Sequence, residues 1–376
     1  MSETKYITGT PELRDDILDF GNYVFSNAHR PHDFRALLPK TYGEHVKGYE
    51  DYHYLALRDG HIRGMVAMRP LQLGVMDEIL DCGFIGTVSV HPYARGEGHM
   101  KKLMAMVTED AKKKYDMMIL GGQRQRYNYF GFERAGVVFG AEVNHTNLRH
   151  TTRDMDVSDL SFKPVTEADN EALDFIHAMQ EEKAIYGVRP REELLDILHS
   201  WSSDCHVICS GDEMIGYIVG NDAEIGLVNE QELPRILKAW FAFRGIKSVH
   251  IPVAAYEKER IAVLNSISES SAIRYNEMIH VLNWPKVVGA LLKVKASYSK
   301  LRDGRAAISV DGATPFVITV KDGVPTVTVE DVEPDLSLTT LEAERRLFTL
   351  DALLGEDELM ANWLPLPFAM SSVDGF

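Results

Sequence analysis

In Val88-Ser89-Val90-His91-Pro92-Tyr93-Ala94-Arg95-Gly96-Glu97-Gly98-His99-Met100-Lys101, an alternating apolar run, Val-x-Val-x-Pro, passes through Arg-Gly-x-Gly into a segment of helical periodicity. Met100, Leu103, Met104 and Val107 recur at 3.6-residue spacing, so the segment reads as strand, glycine turn, helix. Glycines let the backbone turn tightly while consecutive N–H groups converge on one spot. A helix N-terminus adds unsatisfied donors and partial positive charge, which suits a pyrophosphate. A dinucleotide fold would need a third glycine where Lys101 stands. An ordinary strand–helix turn would account for the glycines but not for the Val-x-Val-x-Pro-x-x-Arg prefix.

Outward from this turn, the first segment runs to about His150. Thr10 and Pro11 read as N-cap and first residue of a helix with an apolar stripe at Leu13, Ile17 and Phe20 or Val24. Asp59-Gly60 reads as the turn of a hairpin that continues into further strands. From about Ser161 to Pro285 the pattern repeats: "CHVICSGDEMIGYIVG" matches "YHYLALRDGHIRGMVA", but "NEQELP" stands where the first copy has "PYARGEG". The repeat therefore reads as structural, without the ligand loop. "HVLNWPKVVGALLKVKASYS" reads as a short amphipathic boundary helix, so the domains are expected to pack together. Beyond it come alternating, antiparallel-type strands. A last helix has Thr339 and Glu342 as a capping box and Gly355 just past its end.

A chain of 376 residues fits two or three domains, and 45% apolar with 26% charged residues is an ordinary soluble composition. The formal net charge of -16 argues against nucleic acid as partner and is compatible with a cationic substrate. The polar start and the lack of a long apolar run predict no secretory leader, no membrane span and a cytoplasmic protein. Cys205-His206 and Cys209 lie in a strand-like run and read as buried thiols. His29 and His32 in "HRPH" read as loop histidines, so no metal site is expected. The chain closes on "SSVDGF", a more apolar end than a solvent-frayed terminus requires.

The Val88–Lys101 stretch resembles the acetyl-CoA pyrophosphate motif of the GCN5-related N-acetyltransferase (GNAT) superfamily. Tyr127-Asn128-Tyr129-Phe130-Gly131-Phe132 resembles its Y-x-x-x-G-[FY] segment. Met100 departs from the Gly or Ala of many members. Taken whole, the chain is similar to the enhanced intracellular survival (Eis) acetyltransferases. The resemblance implies an α/β (α+β) fold of tandem GNAT units, each a mixed sheet flanked by helices. The active unit would span residues 1–150, a degenerate one 151–286, and a sterol-carrier-protein-like domain 287–376. It further implies acetyl-CoA as cosubstrate, a small-molecule acceptor among aminoglycosides and other amines, and a homohexamer; the acidic balance fits polycations such as aminoglycosides or polyamines.

Carried onto this sequence, the resemblance has Val88, Ser89, Val90, Arg95, Gly96, Glu97, Gly98, His99, Met100 and Lys101 hold acetyl-CoA. Backbone N–H groups of Val88–Val90 can stabilise the developing oxyanion. Tyr127 occupies the general-acid position, and a phenol of pKa near 10 is protonated at neutral pH. A purely structural Tyr127, packed beside Tyr129 and Phe130, is the alternative. The resemblance gives the carboxylate of Phe376 as base, or as a charge orienting the cation; Asp81 and Asp33 are further candidates without support from spacing. Two other functions stay open: a non-catalytic acyl-CoA or lipid-binding protein, and a protein-lysine acetyltransferase.

Overall fold

The computed structural model describes residues 3–28, 30–220, 224–354 and 357–376; His29 and Gly355 lie outside them. The largest sheet has nine strands: β1 (Lys5–Thr8), β2 (His53–Arg58), β3 (His61–Val75), β4 (Glu78–Val90), β5 (Met117–Leu120), β6 (Glu133–Asn144), β7 (Ile185–Gly187), β8 (Ser248–Ala254) and β9 (Ser270–Val281). Their order is β1-β2-β3-β4-β5-β9-β6-β8, with β7 on the far end of β3. Only β4 and β5 run parallel, joined through helix α2 (His99–Ala111), so the sheet is mixed. The β2–β3 turn is the expected one, with Asp59 at φ 57° and Gly60 at φ 74°.

Helices cover both faces of this sheet. On one side α2 buries Leu103, Met104 and Val107 against Tyr54, Val66 and Ile85. On the other, helix α1 (Arg14–Ala28) buries Ile17, Phe20 and Val24, the expected stripe. Its entry differs from expectation. Thr10 sits extended before a 3-10 turn, Pro11–Leu13, and its side chain caps nothing. Helix α3 (Trp284–Tyr298) also differs from the short boundary helix expected. It is fifteen residues long and buries Val287, Val288, Leu291, Leu292 and Val294 in the same core. A boundary element that packs on both neighbours needs apolar residues around most of its circumference.

The segment expected as a separate repeat contributes to the first sheet. Its own antiparallel sheet (Leu160–Pro164, Cys205–Ser210, Glu213–Val219, Glu224–Leu227) packs on the helix Leu233–Arg244. Its last two strands, β8 and β9, cross over, and β9 inserts between β5 and β6, with Met278 opposite Leu120 and Glu277 opposite Ala135. The sheet therefore runs continuously across the seam expected near residue 150. Cys82, Cys205 and Cys209 are free and buried, as expected of thiols in strands. In the third part, Gly304–Val310, Phe316–Lys321 and Val324–Val329 are antiparallel, but Leu336–Leu338 adds to the first of them in parallel. Helix α4 (Thr340–Phe348) has the Thr339–Glu342 capping box and ends at Phe348, earlier than its sequence suggested. Among the described residues no helix is long and apolar enough to cross a membrane.

The tail is tucked in: Val373, Asp374, Gly375 and Phe376 are all buried. Arg189, itself buried, donates Nε to Asp374 Oδ1 (2.7 Å) and Nη2 to Asp374 Oδ2 (3.0 Å). The same guanidinium reaches Glu224 at 2.6 and 3.2 Å, and the Tyr217 hydroxyl also donates to Glu224. Burial alone would raise the Glu224 carboxyl, yet Arg189 and Lys183 hold it well below its usual range. Replacing Arg189 by Met should strand two buried carboxylates and cost about 3–5 kcal/mol, the loss typical of breaking a buried pair from one side. Urea unfolding monitored by circular dichroism measures this.

Candidate active site

β4 and β5 pair only at Cys82–Met117, Gly83–Met118 and Phe84–Ile119. Beyond Phe84 they part, while β4 stays on β3 through a bulge: Gly86 faces Ala67 and Ser89 faces Met65, leaving Thr87 and Val88 to share Val66. Thr87 takes φ 44° to make the bulge. Among the described residues the β5-facing edge of β4 has no strand partner from Ile85 to Val90, so its amide groups remain available. A cavity of about 990 Å³ opens in the split, and Val88, Ser89, Val90, Arg95, Met100, Tyr127 and Phe376 all line it.

The glycine turn borders this cavity. Gly96 (φ 84°) and Gly98 (φ 82°) are left-handed, and open space lies where a Cβ would stand. Among the described residues no protein acceptor meets the first amides of α2; the first bond is Lys102 N–H to Gly98 O at 3.2 Å. The side chains of the turn do not all serve that site. Glu97 pairs with Arg58 (2.5 and 3.2 Å), which holds its carboxyl low. His99 is buried against Gly64, its Nδ1 2.8 Å from the Tyr6 hydroxyl. Neither lines the cavity, because an inward His99 anchors the helix start to the sheet and Glu97 follows Arg58 outward. Gly96, Gly98 and Lys101 lie exposed on the rim, Lys101 with its ammonium 5.3 Å from the Tyr129 ring.

Tyr127 ends the one-turn helix Arg124–Tyr127, and several contacts fix it. Arg124 grips Glu133 at 2.5 and 2.6 Å, and Arg345 of α4 reaches the same carboxylate at 3.0 Å. Burial opposes ionisation of Glu133, but the two guanidinium groups hold its pKa down to about 2. His280 of β9 contacts the Gly131 carbonyl at 2.9 Å. The Tyr127 ring packs among Leu103, Met104 and Phe132 and also faces the cavity, so it is at once a core residue and a lining residue. Burial raises its phenol above the ordinary value, which keeps it protonated at neutral pH.

The cavity crosses the sheet. Tyr127 belongs to the α2-side core and Phe376 to the α1-side core, yet both line it. The Phe376 ring packs against Gly86, where any Cβ would overlap it, and meets Tyr42 edge-on at 6.0 Å. Lys40 holds the tail, donating to the Gly375 carbonyl (2.5 Å) and to that of Val373. Burial brings the Lys40 ammonium down to about 7, against the pull of Asp374. The α1-side walls are Phe25, Phe34, Leu38 and Trp201, and among the described lining residues Glu277 of β9 is the one carboxylate side chain. Burial pushes Glu277 up to about 7. Sequence reasoning missed both Glu277 and Trp201, because no spacing ties either to the motifs. Asp33 instead caps the helix Phe34–Leu37, and Asp81 accepts from Gln72; neither lines the cavity.

Residues 5–135 match the acetyltransferase (GNAT) domain family, so the chain carries an acetyltransferase domain of the GNAT class and is an enzyme of that class. GNAT domains use acetyl-CoA. Over 100% of both chains its fold is similar to a GCN5-related N-acetyltransferase from Anabaena variabilis (TM-score 0.70, 16% identity). It is likewise similar to one from Kribbella flavida (0.66, 16%) and to Eis1 from Mycobacterium abscessus (0.64, 13%), again over 100% of both chains. No curated protein sequence matches it significantly. Among the described residues no group of three or more His, Cys, Asp or Glu side chains could hold a metal ion.

A Cβ at Gly122 would stand 2.5 Å from Tyr127 Cε2. Gly122→Ala should therefore shift the ring and lower kcat by up to about 10²-fold, the cost of an ångström-scale misplacement, with little change in acetyl-CoA affinity. Steady-state kinetics beside calorimetric titration of acetyl-CoA checks the split.

Proposed function

We propose that this enzyme transfers the acetyl group of acetyl-CoA directly to a primary amine carried on an apolar or aromatic body. The observation that carries this reading is the cavity running through the split between β4 and β5. It supports a thioester lying along Val88–Val90, with its pyrophosphate on the amides of Gly96–Lys101 and the amine entering from the α1 side.

The chemistry follows from the groups available. Unpaired β4 amides polarise the thioester carbonyl and stabilise the oxyanion that forms on attack. Collapse of the tetrahedral intermediate breaks the C–S bond, and the Tyr127 hydroxyl gives its proton to the departing thiolate. The resulting phenolate takes up the proton still held on the new amide nitrogen. Phe376 closes the acceptor side, and its carboxylate, given as base in the Eis-type resemblance, meets the cationic amine as an orienting charge. An α-carboxyl of ordinary pKa near 3.5 is a weak proton acceptor.

The walls bear on the acceptor. Phe25, Phe34, Leu38, Trp201 and Phe376 offer apolar and aromatic surface, with one carboxylate side chain beside them. An aminoglycoside or polyamine would lay several unpaired charges against such walls at a large desolvation cost. The lining thus favours a singly charged, amphipathic amine over a polycation.

Release of CoA thiol should be measured with 2-phenylethylamine, spermidine, kanamycin and a lysine peptide as acceptors. The expected order puts 2-phenylethylamine first in kcat/KM. Tyr127→Phe should lower kcat by about 10²–10⁴-fold with acetyl-CoA binding retained. Deleting Phe376 should lower turnover far more than stability, and Phe376→Ala separates the loss of the ring from the loss of the carboxylate. Saturable acetyl-CoA binding with no CoA release from any acceptor would identify a binding protein instead. Turnover confined to the peptide would favour a protein-lysine acetyltransferase.

A further inference from the structure

We propose that Glu277 is the base of the reaction: its carboxylate removes the proton of the incoming ammonium group on the acceptor side of the sheet. This rests on the acetyl-transfer reading above and adds to it the group that makes the amine nucleophilic.

The argument starts from the strand that carries it. β9 alternates Met278, in the α2-side core with Tyr127, and Ile279, in the α1-side core with Phe376. Glu277 shares the face of Ile279, as does its partner across the ladder, Ala135. It therefore projects on the side from which the acceptor enters, opposite the thiol's general acid. Gly121, just past β5, makes room: a Cβ there would come 3.2 Å from Glu277 Oε2. The following glycine seats Tyr127. Two adjacent glycines at the end of one short strand thus admit the acid and the base of the same reaction.

Glu277 is also uncommitted. Among the described residues no hydrogen bond or ion pair engages its carboxylate, and burial is the one influence on its titration. On the cavity side it faces Arg95, Arg126 and Tyr127, none of which pairs with it. On its other side it borders a second cavity of about 310 Å³. The charged groups there are spoken for: Lys183 by Glu224 (3.3 Å), His250 by Glu142 (2.8 Å), and Arg260 by Glu230 (2.6 Å) and Glu257 (3.3 Å). Tyr256 donates to the Ile185 carbonyl. From the flanking strand, helix and tail, Glu133, Glu344 and Asp374 are held by Arg124, His280 and Arg189. A half-buried carboxylate with no partner costs stability, and its place between two cavities suits a proton acceptor with an exit.

The step balances. R–NH3+ and Glu277–COO− become R–NH2 and Glu277–COOH. The free amine attacks the thioester, Tyr127 serves the thiolate and the second nitrogen proton as above, and Glu277 releases its proton through the second cavity. Because its pKa is raised to about 7, the competent carboxylate form grows as pH rises through 7.

The test compares the full-length wild type with Glu277→Gln and Glu277→Asp in CoA-thiol release from acetyl-CoA. Acceptors are 2-phenylethylamine, protonated at pH 7, and phenylhydrazine, largely neutral there. With 2-phenylethylamine, Glu277→Gln should lose about 10²-fold or more in kcat/KM at pH 7, and the acidic limb near pH 7 should vanish. With phenylhydrazine the loss should shrink, because no proton need be removed before attack. Glu277→Asp should recover part of the rate and the limb. Thermal unfolding at pH 8 should give Glu277→Gln a Tm at or above wild type, since the folded state no longer holds a half-buried, unpaired charge. A Glu277→Gln enzyme with an intact acidic limb, or equal losses with both acceptors, overturns the assignment while leaving acetyl transfer standing. A wild type that releases no CoA with either acceptor overturns the acetyl-transfer reading, and the base with it.

Discussion

The parting of β4 from β5 beyond Phe84 and Ile119 is the constraint on which the rest of this structure depends. A sheet normally separates its two faces completely, since every interior amide is bonded to a neighbour. Here three ladder pairs hold the strands at one end, and a bulge at Thr87–Val88 turns the free end of β4 away. The split does three things at once. It frees backbone donors, it opens a passage between the faces, and it starts the turn into α2 beside the same opening, which Arg95 and Met100 line.

A split sheet needs outside support, and the rest of the chain supplies it. β9 pairs along the opposite edge of β5 and ties that strand to β6, so β5 stays anchored where β4 leaves it. The Tyr127 loop is tied to α4 through Glu133 and Arg345, so the third part of the chain positions a residue of the first. The tail is fixed from two directions, by Arg189 on Asp374 and by Lys40 on the carbonyls of Val373 and Gly375. Burying such charged groups is expensive unless they are paired, and their pairing gives the tail one geometry instead of many. The three parts of the chain therefore cooperate around a single opening.

How far this was legible can be judged residue by residue. The Val88–Lys101 turn, the Asp59-Gly60 hairpin, the α1 and α2 stripes and the Thr339 capping box are local: each is set by neighbours within a few positions, and each is present. Glu97 and His99 show the limit within a motif. Sequence gives their place beside the turn, but Arg58 and Tyr6, far along the chain, decide that both side chains face elsewhere. α3 is longer and more deeply buried than the short amphipathic helix its sequence suggested, because its neighbours on both sides, far along the chain, cover most of its circumference.

The sequence by itself determined the strand–turn–helix at Val88–Lys101, with Tyr127 one strand later, because glycine conformations, helix periodicity and turn chemistry act over short range. Only the tertiary structure decided that β9 joins the first sheet, that the opening runs through that sheet, and that Glu277, Trp201 and Phe376 line it with Tyr127. Those placements depend on which strands pair and which charges are buried together. The balance is struck among residues hundreds of positions apart, and no local pattern records it.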